Sequence, residues 1–293
     1  MSTQISENTR ASYRPGRFHL LERLKGGWLI FKENLLGRIG LTLLALFALM
    51  ATASFIPPLI DPIYHPMSGV DPLISNSTGP SLRHWLGTDF IGRDILSQLL
   101  TGARIAFLVG VSSAFMSIVV GTIVGMVAGY AGGYTDTILM RFADLVMVMP
   151  TLLVILILAA LFGQLSIWII VLLIALFRWP AVARVIRSQT LSLKQRPFVD
   201  AARVTGASYF RIIFRHIMPN VLPLVLLYMT FRVTSAILIE AALAFLGFGD
   251  PGTVSWGMML QWVWKTGHMF HAAAGYLHLF DYAIVLYGGA CHG

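Results

Sequence analysis

"PFVDAARVTGASYFRIIFRHIMPN", residues 197–220, is basic and helix-patterned, and it stands between two stretches apolar enough to enter a bilayer. It carries Arg203, Arg211 and Arg215 against a single acid, Asp200. Pro197 suits the first turn of a helix, where its missing N–H is not needed. "FVDAARV" continues with helix formers and an apolar side, and Gly206 breaks the pattern. "SYFRIIFRHI" then starts a second helix. Ser208 is its candidate cap, with Tyr209, Ile212, Ile213 and His216 on one face and Arg211 and Arg215 on another. Pro219 and Pro223 flank the entry to the next apolar run. On pattern alone this is an amphipathic helix pair that could lie on a lipid surface with its arginines facing phosphates.

The composition around this stretch defines the class. The chain has 293 residues, 57% hydrophobic and only 12% charged, with a mean hydropathy of +0.76. Soluble domains carry about a quarter charged residues, so this is an all-α integral membrane protein of one bundle. The net charge of +8 does not indicate nucleic acid, because the basic residues fall in two blocks beside apolar runs. The lone cysteine, Cys291, excludes an internal disulfide and a Cys-rich metal site. The first apolar run lies too far from Met1 for a cleavable signal.

Spans are expected at roughly 39–60, 105–130, 143–162, 166–183 and 218–248, with "FGQLSI", 162–167, as a tight turn between the third and fourth. A sixth run, 269–290, is weaker because it holds His271, His278 and Asp281. One basic block comprises Arg10, Arg14, Arg17, Arg23, Lys25, Lys32 and Arg38. The other comprises Arg178, Arg184, Arg187, Lys194, Arg196, Arg203, Arg211 and Arg215. Both are expected in the cytoplasm, and the alternation of spans independently puts them on one side. The N-terminus and residues 197–220 are therefore cytoplasmic.

Polar residues inside spans are functional candidates by default. Arg141 and Asp144, three apart, are placed to pair along one helix. Arg232 and Glu240 lie deeper and about two turns apart, so each needs a partner on another helix or in a wet cavity. Gly121, Gly125 and Gly129 recur every four residues, the spacing that lets membrane helices pack closely. His268 and His271 lack a third ligand, so no metal site is expected. No Ser/His/Asp pattern suggests nucleophilic catalysis.

"DAARVTGASYFRIIFRHIMPN" resembles the EAA loop of permease subunits in binding-protein-dependent ABC importers. Asp200, Ala201, Ala202, Gly206 and Pro219 fit its pattern, with Asp where Glu is usual and His216 where an aliphatic is commoner. "HWLGTDFIGRDILSQLLTGARIAFLVG", 84–110, "MRFADLVMVMPTLL", 140–153, and "EAALAFLGFGDPGTVSWGMML", 240–260, resemble the C-type permeases of dipeptide/oligopeptide importers. The resemblance runs in family order from about residue 20 to 262. Beyond about 267 the chain departs from the family's apolar last span and charged tail.

The resemblance implies a type I ABC importer-like transmembrane domain of five helices and a less certain sixth. It also implies a bacterial or archaeal inner membrane, a second homologous permease subunit, two ATPase subunits and an external substrate-binding protein. The chain has no GxxxxGK[ST] loop. It is therefore expected to be non-catalytic and to bind no cofactor itself, with ATP and Mg at the partner ATPase subunits. The expected organisation is a cytoplasmic segment 1–38, a first transmembrane helix 39–60, an external segment 61–103, and a core permease domain 104–293 with a cytoplasmic coupling loop 184–217. Di- or oligopeptides are the expected cargo. A nickel complex or other small solute is the alternative within the family, and a channel or receptor the alternative outside it.

Overall fold

The computed structural model describes residues 35–57, 61–74, 77–163 and 165–266. Among these residues the regular structure is helical, with one isolated bridge between Thr88 and Asp94. The chain divides into two units, Met1–Phe47 and Ala48–Gly293. The described part of the first unit belongs to α1, Leu35–Ala53, whose large apolar side chains, Leu44 and Leu46 among them, are exposed. The helix stops at Ala53, short of the expected 39–60 run. The sixth run and the N-terminal basic block up to Lys32 lie outside the described residues.

Three long helices build the second unit: α2, Ile95–Ala131; α5, Ile167–Lys194; and α8, Met218–Phe245. The α2–α5 contact is the most extensive, and the glycine repeat explains it. A Cβ on Gly121 would stand 2.7 Å from the Trp179 carbonyl oxygen, one on Gly125 2.5 Å from that of Ala183, and one on Gly129 2.8 Å from that of Arg187. Those carbonyls also recur every four residues. The two backbones therefore touch along matched ridges that any side chain would force apart.

The expected third span is two helices, not one. α3, Gly133–Val148, and α4, Thr151–Phe162, are bent by 72°. Pro150 is the cause: it disfavours helical geometry at the residue before it, and Met149 is extended, with φ −74° and ψ 122°. α4 ends at Phe162 and α5 begins at Ile167; Gln164, within the expected 162–167 turn, lies outside the described residues. Ser166 caps α5 by accepting the Trp168 N–H at 3.3 Å.

α8 continues a helix that begins earlier. α7, Tyr209–Ile212, runs through a π turn, Ile213–Ile217, into α8, giving one apolar helix of 37 residues. Neither Pro219 nor Pro223 breaks it. Pro219 lies just after the π turn, and Pro223 lies within the helix. By length and apolarity, three described helices span a bilayer, or four if α3 and α4 count as one bent span.

Residues 61–103 are organised by buried polar bonds. His84 faces two carboxylates, Asp94 through Nδ1 at 2.9 Å and Asp71 through Nε2 at 3.3 Å. Asp94 also caps α2, accepting the Ser97 N–H at 2.8 Å. Asp89 accepts from Arg93 Nε at 2.7 Å and Gln98 Nε2 at 2.9 Å. Arg93 lies over the ring of Trp262 on α9, Trp256–Thr266. The Asp71 carboxyl is held below its ordinary pKa, chiefly by the Leu73 backbone N–H and then by His84 and Arg83, against the opposing effect of burial.

Candidate subunit-docking site

The 197–217 element is built as two surfaces. α6, Pro197–Val204, starts on Pro197 with Asp200 in its first turn, where an acid complements the helix dipole. Its inner side chains, Val199 and Ala202, are buried. They share one apolar cluster with Ile212, Ile213 and Ile217 of the second segment, Met126 and Tyr130 of α2, Ile186 of α5, and Val221 of α8. The element is therefore part of the bundle core. Its other surface carries Phe198, Asp200, Ala201, Arg203 and Val204, then Phe210, Arg211 and Phe214, all exposed. Val204 is 89% and Phe210 72% accessible.

Gly206 has φ +77°. The Ala207 N–H bonds to the Ala202 carbonyl at 3.0 Å and the Gly206 N–H to the Arg203 carbonyl at 2.9 Å. This pair of bonds is the Schellman closure of a helix end, which needs a left-handed residue at the glycine position. Ser208 precedes α7 with extended backbone but makes no capping bond through its side chain.

Tyr130, at the end of α2, was not foreseen as part of this site. Its ring packs edge-on against Tyr209 at 4.6 Å between centroids, and Lys194 and Arg203 approach its face at 5.6 and 5.5 Å. It ties the second span to both short helices. An aromatic at the end of an apolar run facing a basic loop was the available signal. Arg203 also pairs with Asp200 at 3.1 Å. Its guanidinium is held above the ordinary pKa, first by the hydrogen bond to Tyr130.

Other charges are placed differently from expectation. Asp144 does not pair with Arg141; it meets Arg184 of α5 at 2.5 Å, and Arg141 is exposed. Asp136 binds Arg187 through both carboxylate oxygens, one contact at 2.5 Å. The α3 acids thus fasten α3 to α5. Glu240 is buried, with the Ser255 side chain near it. Arg232 is within electrostatic range of Arg178, which belongs to the middle of α5 and not to the basic loop. No group of three metal-ligating side chains occurs among the described residues.

Long apolar helices with a basic loop tied into their core define a multi-pass membrane protein. Residues 121–287 match the family described as "Binding-protein-dependent transport system inner membrane component", and the chain belongs to it. The match continues past residue 267, where the family pattern was expected to end. The chain is 40% identical over 234 residues to a peptide permease protein of Brucella suis, covering 79% of this chain and 74% of that one. It is 36% identical to the oligopeptide transport system permease protein OppC of Bacillus subtilis, covering 80% and 75%. It is 40% identical to the glutathione transport system permease protein GsiD of Escherichia coli, covering 63% and 61%. The protein is thus a non-catalytic permease subunit of an ABC importer, working with partner ATPase subunits and a substrate-binding protein.

Proposed function

We propose that this chain forms half of the path of a peptide importer and receives the ATPase stroke through residues 197–217. One observation carries the reading: the element's inner face is packed into the same apolar cluster as α2, α5 and α8, while its outer face is exposed. A push on Ala201, Val204 or Phe210 therefore reaches three spans without a flexible joint. The continuous helix from Tyr209 to Phe245 acts as the stiffest arm. The π turn within it is a geometry often found at functional sites.

The complex then contains a second homologous permease subunit, two ATPase subunits holding ATP and Mg, and an external binding protein. The N-terminus and the 184–217 loop lie in the cytoplasm and 61–103 outside. The cargo assignment follows three relatives named for peptides or glutathione. It is tested by reconstituting the five-subunit complex in liposomes and measuring ATP-dependent uptake of labelled di- and tripeptides. Accumulation of a peptide but not of a nickel complex is expected; the reverse overturns the cargo assignment.

A further inference from the structure

α5 and α8 share a level at one end: the Ile167 N–H donates to Asp250 Oδ2 at 2.9 Å, just beyond the end of α8. Measured from that end, Arg178 lies eleven residues along α5 and Arg232 thirteen residues back along α8, about 16 and 20 Å deep at 1.5 Å per residue. A hydrocarbon layer is about 30 Å thick, so two helices independently bring a cation close to its middle. The two charges act on one another. Each Nε is buried without a hydrogen-bond partner, although each side chain as a whole is only half-buried.

The described acids do not neutralise them. Asp61, Asp71, Asp89 and Asp94 are engaged within the 61–103 segment. Asp136 and Asp144 hold Arg187 and Arg184, and Asp200 holds Arg203. Asp250 accepts from Ile167, and Glu240, eight residues along α8 from Arg232, makes no ion pair with it among the described residues. Two neighbouring arginines at this depth need an anion, since intramembrane charges are kept only where they pair or meet a cavity. α8 is also the least buried of the three long helices, and Arg232 is itself partly exposed.

We propose that Arg178 and Arg232 form a carboxylate-binding station in the path, which receives the C-terminal carboxylate of the transported peptide. This rests on the peptide-importer reading. Guanidinium groups suit the task because they present forked donors to a carboxylate. The station would have to bind weakly enough to release, and two partly exposed arginines provide that more readily than a sealed pocket.

The test uses the intact importer in liposomes with its loaded binding protein and two probes, tri-alanine and tri-alanine amide. Each variant is compared on the same binding protein, so recognition outside the membrane cancels in the ratio of rates. Arg178→Gln and Arg232→Gln are expected to lower tri-alanine uptake at least tenfold while changing amide uptake less than twofold. Arg232→Lys should retain most of the activity. Equal loss on both probes overturns the assignment, as does loss of the second permease subunit from the purified variants. The same loss from Asp281→Asn would identify an internal counter-charge and also overturn it. Import of both probes with the wild-type preference kept in the Gln variants sinks the station alone. Import of neither probe by wild type overturns the peptide reading and the station with it.

Discussion

Gly206→Val isolates the backbone requirement of the proposed coupling element. Nothing lies within 4 Å of a Cβ built on Gly206, and its φ is +77°, so the variant meets no steric clash with neighbours. Its cost is conformational: a non-glycine residue in the left-handed region pays about 1–2 kcal/mol. Escaping to negative φ instead gives up the Ala207–Ala202 and Gly206–Arg203 closure bonds, about 1 kcal/mol each. Either route shifts the native loop population by roughly 5- to 30-fold, yet leaves most of a stability of about 5–15 kcal/mol. The permease should therefore insert and purify normally while binding-protein-stimulated ATPase activity and uptake fall together. Because the cost is set by φ, a series should rank Gly above Asn, Asn above Ala and Ala above Val, since Asn tolerates this region best among the three. The assay is ATP hydrolysis by the reconstituted complex with and without loaded binding protein. Full stimulation in Gly206→Val, or Asn performing no better than Val, would refute the argument.

Gly125→Ala should act oppositely, through packing: its Cβ would stand 2.5 Å from the Ala183 carbonyl oxygen, so α2 and α5 must separate at a cost of about 1–3 kcal/mol. A lowered midpoint of thermal unfolding in detergent checks this, with Gly40→Ala, a helical glycine where nothing lies within 4 Å, as the clash-free control that should not lower it. The buried Asp71 should make residues 61–103 sensitive to acid. Its pKa is depressed in the folded state, so its contribution is fully present above the ordinary carboxylate value of about 4 and is lost as pH falls below that. Protease cleavage within 61–103 should rise below about pH 4 in wild type, and Asp71→Asn should show that rise already at neutral pH. Orientation is checked by impermeant thiol labelling of whole cells in a Cys291→Ser background: Ser77→Cys should label and Ser192→Cys should not.

The two short helices of the docking loop were legible because their punctuation is local: Pro197 at a helix start, Gly206 at a helix end, and apolar spacing between. The glycine repeat was equally legible, because a period of four on a helix defines one face. What escaped inspection depends on three dimensions. Asp144 prefers Arg184 on α5 to its own neighbour Arg141, and Tyr130 joins the loop only because α2 ends beside it. Arg178 looked like part of a basic cytoplasmic block, but α5 continues unbroken from Ile167 to Lys194, which puts the residue in the middle of an apolar helix. The bend at Pro150 was available in the sequence, since the residue before a proline avoids the helical region. Long apolarity from 145 to 177 masked it.

The central claim is that the exposed face of residues 197–217 touches an ATPase subunit. A photoreactive side chain placed at Val204, 89% accessible, tests it directly in the assembled complex. The account predicts a cross-link to the ATPase subunit whose yield changes between the nucleotide-free and ATP-bound states, while the same group at Leu172, exposed on the apolar face of α5, captures lipid. Cross-links from Val204 to lipid alone would contradict the account and make the element an interfacial helix pair.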